Sequence, residues 1–263
     1  MNKVRLLEPF DLREGVYFQR DLRNSAFEKK YLALREKEKR IYTDEQVSKL
    51  PEISLTQPHY AEWRLRQNSM HRLVRYINQR RFKTILDIGC GNGWLSSHMA
   101  KTNAEVFALD VNEVELRQGS RIYNGMNNLN FIYADVLSNP FKDEKMFDLI
   151  VIASSIQYFS DIRGLIQSLQ PMLTHKGEIH ILDSPIYQNK NEAALAKKRS
   201  EEYFNNMGHS WMSHYYFHHT YEMFSGFTYE MLYNPTSLIS RLKNKITKSS
   251  PFPWLSIGNF SNP

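Results

Sequence analysis

Three glycines and two carboxylates within a short stretch of this chain could bind a small polar ligand. Gly89, Gly91 and Gly93 alternate in a turn that follows a buried-strand pattern, and glycines lack the Cβ atoms that would keep a backbone away from a ligand. Asp87 stands at the start of the turn, and Asp110 ends the next apolar strand. Because parallel strands present their carboxyl ends at one edge of a sheet, this pairing predicts an adenosyl ligand whose ribose is held there.

The elements that position these residues alternate between strands and helices from residue 82 onward. Strands are predicted at 84–88, 105–109, 130–133, 147–152 and 178–182, with helical stretches near 93–102, 112–123 and 161–173. This spacing indicates right-handed βαβ units and a parallel sheet. Two further segments, 227–233 and 253–257, are candidates for a last, antiparallel pair of strands.

Residues 1 to about 80 show no strand pattern. Helices are predicted at 24–40 and 59–78, the second with apolar side chains near helical spacing. We therefore divide the chain into an N-terminal helical extension, 1–80, and one ligand-binding domain, 81–263. After Asp183 the pattern loosens into a charged helix at 189–206 and an aromatic, histidine-rich segment at 208–220.

The composition is typical of a soluble globular protein. Of the 263 residues, 41% are hydrophobic and 24% are charged, and no apolar run approaches the ~18 residues that span a bilayer. The first residues lack the apolar core of a signal peptide, which predicts a cytoplasmic location. The single cysteine, Cys90, excludes an intramolecular disulfide and any multi-cysteine metal site, and we expect it to pack in the glycine turn.

The net charge of +6 permits an anionic partner without requiring one. Basic residues cluster at 29–30, 35–40, 80–81, 197–199 and 241–248, but most clusters interleave with Glu or Asp, as on a solvated helix face. A dedicated nucleic-acid surface is therefore disfavoured, although it stays open as an alternative.

Five motifs, in order along the chain, resemble those of the class I S-adenosylmethionine-dependent methyltransferases. They are the segment from Asp87 to Gly93, Asp110, Ala134-Asp135, Phe147-Asp148-Leu149-Ile150, and the turn Leu173-Thr174-His175-Lys176-Gly177. The resemblance covers about residues 82–184. It implies an α/β, Rossmann-like fold: a mostly parallel seven-stranded sheet with a reversed last strand and flanking helices. The glycine spacing lacks the Gly-x-x-Gly ending of the dinucleotide fingerprint, which disfavours a nicotinamide oxidoreductase.

The resemblance also implies how the cofactor S-adenosylmethionine would be held. Asp87 would orient its ammonium group, Asp110 would accept hydrogen bonds from both ribose hydroxyls, and Asp135 would accept one from the adenine amino group. The other implied contacts are Gly89, Cys90, Gly91, Asn92 and Gly93 in the loop, Val111 and Val136 near the adenine, and Ala153 and Ser154 on the path to the acceptor.

One arginine of the segment Trp63-Arg64-Leu65-Arg66, taken here to be Arg64, is a candidate for pairing with the cofactor carboxylate. A solvated helix surface is the alternative for this segment. Tyr42 and Tyr60 are weaker candidates for the same role.

The acceptor side is less defined. A hydroxyl acceptor needs a base, and the candidates are Tyr158, Asp183 and His180, with packing inside the sheet as the alternative for His180. No metal site is predicted, because the spacing of the later histidines matches no ligand pattern; these are His209, His214, His218 and His219. In the family, segment 189–221 is a place for acceptor-specific insertions, so we expect it to cover the active site.

The leading hypothesis is a methyltransferase that acts on a small-molecule, lipid-like or sugar-like acceptor. The family's DNA amino-group methylases carry an Asn/Asp-Pro-Pro-aromatic segment after the fourth strand, where this chain has Ala153-Ser154-Ser155-Ile156. Adenine and glutamine amino groups are therefore disfavoured as acceptors. An RNA or protein methyltransferase and a non-catalytic adenosyl-binding protein stay open as alternatives, and the sequence leaves the oligomeric state undetermined.

Overall fold

The computed structural model describes residues 6–20, 22, 26–141, 145–238, 240 and 249–258. The strands are β1 (Phe10–Arg13), β2 (Val16–Gln19), β3 (Thr84–Ile88), β4 (Glu105–Asp110), β5 (Leu129–Tyr133), β6 (Phe147–Ala153), β7 (Leu173–Leu182), β8 (Ile186–Tyr187), β9 (His219–Thr220), β10 (Tyr229–Tyr233) and β11 (Trp254–Gly258). The α-helices used below are α1 (Ala26–Lys37), α2 (Asp44–Ser48), α3 (Tyr60–Arg80), α4 (Trp94–Ala100), α5 (Glu113–Ile122), α6 (Ile162–Leu169) and α7 (Lys190–Asn206). The basic cluster at 241–248 lies outside the described residues.

Nine strands form one sheet in the order β1-β2-β5-β4-β3-β6-β7-β11-β10. Strands β2, β5, β4, β3, β6 and β7 are all parallel, whereas β11 runs antiparallel to both β7 and β10. All five residues of β3 and of β5 are buried, as expected for a sheet with helices on both faces. The Rossmann-like fold and the antiparallel last pair are confirmed.

The sheet has two strands more than the seven predicted, and both come from the part of the chain predicted to be free of strands. Strands β1 and β2 form a hairpin, and β2 extends the sheet by pairing with β5. The two-residue loop is Glu14-Gly15, both with positive φ, which fits the twist of a hairpin. The prediction failed because the strands have only four residues each and because Glu-Gly is a weaker turn signal than Asn-Gly or Asp-Gly.

The predicted turn at 173–177 is part of a strand in the structure. Strand β7 begins at Leu173, which pairs with Phe147, and its register against β6 then shifts before Glu178 pairs with Leu149. Gly177 lies within this irregular stretch, where a Cβ atom would come 2.8 Å from the carbonyl oxygen of Phe147. The motif therefore marks a bulge inside the strand.

Side chains at the first turns explain where several helices begin. Asn112, Asp161 and Asn189 each accept a hydrogen bond from a backbone N–H three residues later, at 3.2, 3.0 and 3.0 Å. These caps satisfy N–H groups that the helix itself leaves unpaired. They fix the starts of α5, α6 and α7.

The segment after β7 folds back over one end of the sheet together with α1. Strands β8 and β9 pair as a small parallel sheet and thereby close the base of the segment that contains α7. Above it, Leu34 of α1 packs in an apolar cluster with Phe204 of α7 and Met212 of the following 3-10 turn. We call α1 together with residues 190–216 the cover.

Candidate active site

A cavity of about 420 Å³ lies at the carboxyl ends of the parallel strands, beneath the cover. Strand β3 lies between β4 and β6, which is the point where strand order reverses and where open α/β sheets bind ligands. Carboxylates and aromatic side chains both line the cavity. Among the aromatic side chains, the ring of Phe27 contacts those of Tyr31 and Tyr215, and the ring of Tyr31 contacts that of Tyr158. Phe159 also lines the cavity.

The glycine turn is tied to the end of β4. The backbone N–H of Gly89 donates to the carbonyl of Leu109 at 2.8 Å, and that of Gly91 donates to Asp110 Oδ2 at 2.7 Å. A Cβ atom at Gly93 would come 2.4 Å from the ring of Phe131, inside the protein. At Gly91, with φ of +55°, the nearest atom would be a carboxylate oxygen of Glu115 at 3.4 Å. Gly91 therefore leaves space beside the backbone at the cavity, whereas Gly93 is required by packing.

Asp87 and Asp110 both line the cavity, Asp87 as a buried side chain and Asp110 as a half-buried one. Asp87 is 2% exposed, and Ser96 Oγ donates to its Oδ2 at 2.6 Å. Burial raises the pKa of Asp87 to about 7, and the charge of Asp110 contributes in the same direction. Burial also raises the pKa of Asp110, against the lowering effect of backbone N–H donors such as that of Gly91.

Two further carboxylates line the cavity, and the sequence analysis did not select either of them. Glu115 of α5 accepts a hydrogen bond from Asn112 Nδ2 at 2.9 Å, and burial, with the charge of Asp110, raises its pKa to about 7. Glu28 of α1 is 3% exposed, and burial raises its pKa as well. These four carboxylates favour a ligand that brings positive charge or hydrogen-bond donors.

Most of the other predicted cofactor contacts also line this cavity. Asp135 Oδ1 accepts the backbone N–H of Leu137 at 2.9 Å and so begins a 3-10 turn at the cavity wall. Burial raises the pKa of Cys90 well above its usual value, so its thiol stays protonated. The predicted contacts that line the cavity with them are Gly89, Asn92, Val111, Val136, Ala153 and Ser154.

Arg64 lies away from the cavity. Its side chain is exposed and donates to Gln67 Oε1 at 3.2 Å. Arg66 lines the cavity instead and forms an ion pair with Glu62 at 2.8 Å. Of the two weaker candidates, Tyr42 lines the cavity and Tyr60 lies outside it.

The three candidate bases differ in whether they line the cavity. Tyr158 and Asp183 line the cavity. The hydroxyl of Tyr158 accepts a hydrogen bond from Arg35 at 2.6 Å. Asp183 Oδ1 accepts one from Ser69 Oγ at 2.7 Å, and burial raises the pKa of Asp183.

His180 does not line the cavity. It is fully buried in the sheet, where its ring contacts those of Tyr76 and Trp254 and its Nε2 is 2.8 Å from Glu178 Oε2. Burial lowers the pKa of His180, which favours the neutral ring. His180 therefore packs inside the sheet, which is the alternative to a catalytic base given for it in the sequence analysis.

The later histidines do not line the cavity either. His218 Nε2 lies 2.9 Å from Ser200 Oγ, and burial lowers the pKa of His219 to about 4. Within the part of the chain that the structure describes, no three His, Cys, Asp or Glu side chains converge in a way that could hold a metal ion.

The part of the site formed by the strand ends lies in the region that matches known methyltransferases. The methyltransferase domain family matches residues 85–177. The malonyl-(acyl-carrier protein) O-methyltransferase of Enterobacter lignolyticus is 29% identical over 121 residues, which are 46% of this chain and 47% of that protein. The match thus spans about half the length of this curated relative, and the next two are matched over 44% of theirs.

Solved structures show the same fold. The YcgJ protein from Bacillus subtilis aligns with a TM-score of 0.55 at 15% identity, over 73% of this chain and 98% of that chain. The plantazolicin methyltransferase BpumL, in complex with a triazolic desmethylPZN analog and SAH, aligns with a TM-score of 0.51 at 19% identity, over 88% of this chain and 96% of that chain. Taken with the match at residues 85–177, these findings show that the chain contains a class I S-adenosylmethionine-dependent methyltransferase domain.

Proposed function

We propose that this protein transfers the methyl group of S-adenosylmethionine to a small-molecule acceptor. One observation carries the proposal: the same cavity is lined by the carboxylates at the ends of β3 and β4 and by a cluster of aromatic side chains that includes Tyr31 and Tyr158. A ligand that carries positive charge and hydroxyl donors suits the carboxylates, and a compact apolar or aromatic group suits the aromatic cluster. A cavity of about 420 Å³ is of the size that binds small molecules.

The residues around the carboxylates fit the cofactor. Asp87 would take its ammonium group, because a buried carboxylate with a raised pKa is stabilised by a nearby positive charge. Asp110 would take the ribose, and Gly91 leaves the backbone open beside it. Arg66, in place of Arg64, would pair with the cofactor carboxylate.

S-adenosylmethionine supplies a methyl group that is already activated on a sulfonium ion. The protein therefore has to position the acceptor in line and exclude water. The rings of Tyr31 and Tyr158 meet edge to face at 6.0 Å in the aromatic cluster, and Arg35 holds the Tyr158 hydroxyl. For a hydroxyl acceptor, Asp183 is the proposed base, because it lines the cavity and its raised pKa favours proton uptake.

Two alternatives differ from this proposal in the acceptor or in turnover. An RNA or protein methyltransferase would use the basic cluster at 241–248, which lies outside the described residues. A non-catalytic adenosyl-binding protein would keep the carboxylates and need no acceptor position. None of the helices described is both long and apolar enough to cross a membrane. A cytoplasmic location stays a prediction.

The deciding experiment is transfer of a radiolabelled methyl group from S-adenosylmethionine into a cell extract separated into metabolite, lipid, protein and nucleic-acid fractions. Label in the metabolite or lipid fraction supports the proposal, and label in RNA or protein supports the first alternative. Asp110→Ala is the matched control, because it removes the ribose carboxylate; it should weaken S-adenosylhomocysteine binding at least tenfold, or about 1.4 kcal/mol. Cofactor binding without label in any fraction favours the non-catalytic alternative.

A further inference from the structure

Glu28 has one carboxylate oxygen that is buried and unpaired. The side chain projects from α1 into the cavity wall and is 3% exposed. Its Oε1 accepts the backbone N–H of Glu113 at 2.7 Å, at the first residue of α5. Its Oε2 is buried and has no hydrogen-bond partner among the described residues. A buried carboxylate oxygen without a donor is unfavourable, so this position calls for a ligand donor.

The position of Glu28 identifies which part of the ligand it faces. Asp110 Oδ1 accepts the backbone N–H of Asn112 at 2.9 Å, and Glu28 Oε1 accepts the backbone N–H of the next residue, Glu113. The negative charge of Asp110 also raises the pKa of Glu28, in addition to burial. Glu28 of α1 and Asp110 of β4 therefore lie close together at the start of α5, where both line the cavity.

We infer that Glu28 is a second ribose-binding carboxylate, which accepts a hydrogen bond from one hydroxyl of the cofactor while Asp110 binds the other side of the sugar. This inference rests on the proposed function, because it takes S-adenosylmethionine as the ligand. It extends ribose recognition to the cover. The same helix carries Tyr31 and Arg35, which line the cavity, and Arg35 donates to the Tyr158 hydroxyl. A cofactor held by Glu28 would therefore also hold α1 beside the proposed acceptor position.

Calorimetry with S-adenosylhomocysteine and its 2′-deoxy and 3′-deoxy analogues tests the inference. Glu28→Ala should weaken S-adenosylhomocysteine binding about tenfold, the effect of losing one charged hydrogen bond. For whichever analogue lacks the hydroxyl that Glu28 binds, the same substitution should cost less than about threefold, because the contact is already absent. Glu36→Ala is the matched control, since Glu36 is exposed on the same helix and should leave all three affinities unchanged.

The analogues separate a ligand contact from a structural role. If Glu28 only caps α5, Glu28→Ala weakens all three ligands by the same factor, and the inference is overturned. An unchanged affinity for S-adenosylhomocysteine overturns it as well. The proposed function fails by a different result, namely no binding of S-adenosylhomocysteine to the unmodified protein.

Discussion

Replacing Asp87 by Asn should stabilise the cofactor-free protein at alkaline pH. An unfolded aspartate has a pKa of about 4, whereas burial raises the pKa of Asp87 to about 7 in the fold. The folded state therefore holds this proton more tightly than the unfolded state. The stability that the group contributes is complete below pH 4, falls as the pH rises to 7, and is constant above it. Three pKa units correspond to roughly 4 kcal/mol.

The measurement is urea unfolding of the cofactor-free protein and of Asp87→Asn, followed by circular dichroism, between pH 4.5 and pH 8. The free energy of unfolding of the variant minus that of the unmodified protein should increase by about 3 kcal/mol over this range. Other titrating groups cancel in the difference. Ser96→Ala is the matched control: it removes the donor to Asp87, so its deficit should grow as the pH rises, the opposite slope.

A difference that stays constant within about 1 kcal/mol from pH 4.5 to pH 8 would refute the reasoning, because Asp87 would then have an ordinary pKa. The same substitution should weaken S-adenosylhomocysteine binding at least tenfold, about 1.4 kcal/mol, since it removes the charge opposite the ammonium group. Together the two results would show that the negative charge of Asp87 destabilises the cofactor-free protein and strengthens cofactor binding.

Two other substitutions test the geometry of the site. Gly91→Val should abolish S-adenosylhomocysteine binding, measured by calorimetry, because φ of +55° strains a β-branched residue and the new side chain enters the cavity. The far-UV circular dichroism spectrum of the variant should match that of the unmodified protein. Normal binding would contradict the placement of the cofactor. Arg66→Ala should weaken binding about tenfold, a change of about 1.4 kcal/mol, while Arg64→Ala should have no effect; equal effects of the two would contradict the assignment of the cofactor carboxylate.

The sequence predicted the sheet and the glycine turn because their signals are local. Strands β3 and β6 are dense apolar runs. Asp87 and Asp110 could be selected as site residues because they stand near the ends of strands. Side chains on helices are harder to assign. Arg64 and Arg66 are two residues apart on α3 and therefore point in different directions, so only the packing of α3 shows which one faces the cavity.

Glu28 could not be predicted because its role depends on where α1 docks. Nothing in residues 26–37 marks one glutamate among several charged side chains, and its partner, Glu113, belongs to a different part of the chain. Glu115 was easier to identify from the sequence, because it lies five residues after Asp110. It was missed because a glutamate in the first turn of a helix is commonly a solvated residue that favours the helix dipole.

The pairing of β2 with β5 has a consequence for how this protein folds. Val16 finds its partner, Phe131, only after β3 and β4 and the helices beside them have been synthesised, and contacts so distant along the chain form slowly. The edge of β2 therefore stays unpaired until the central strands of the sheet have formed. Leu34 of α1 packs against Phe204 and Met212, which are synthesised after all the parallel strands, so the roof of the cavity is completed late, after the floor that it covers.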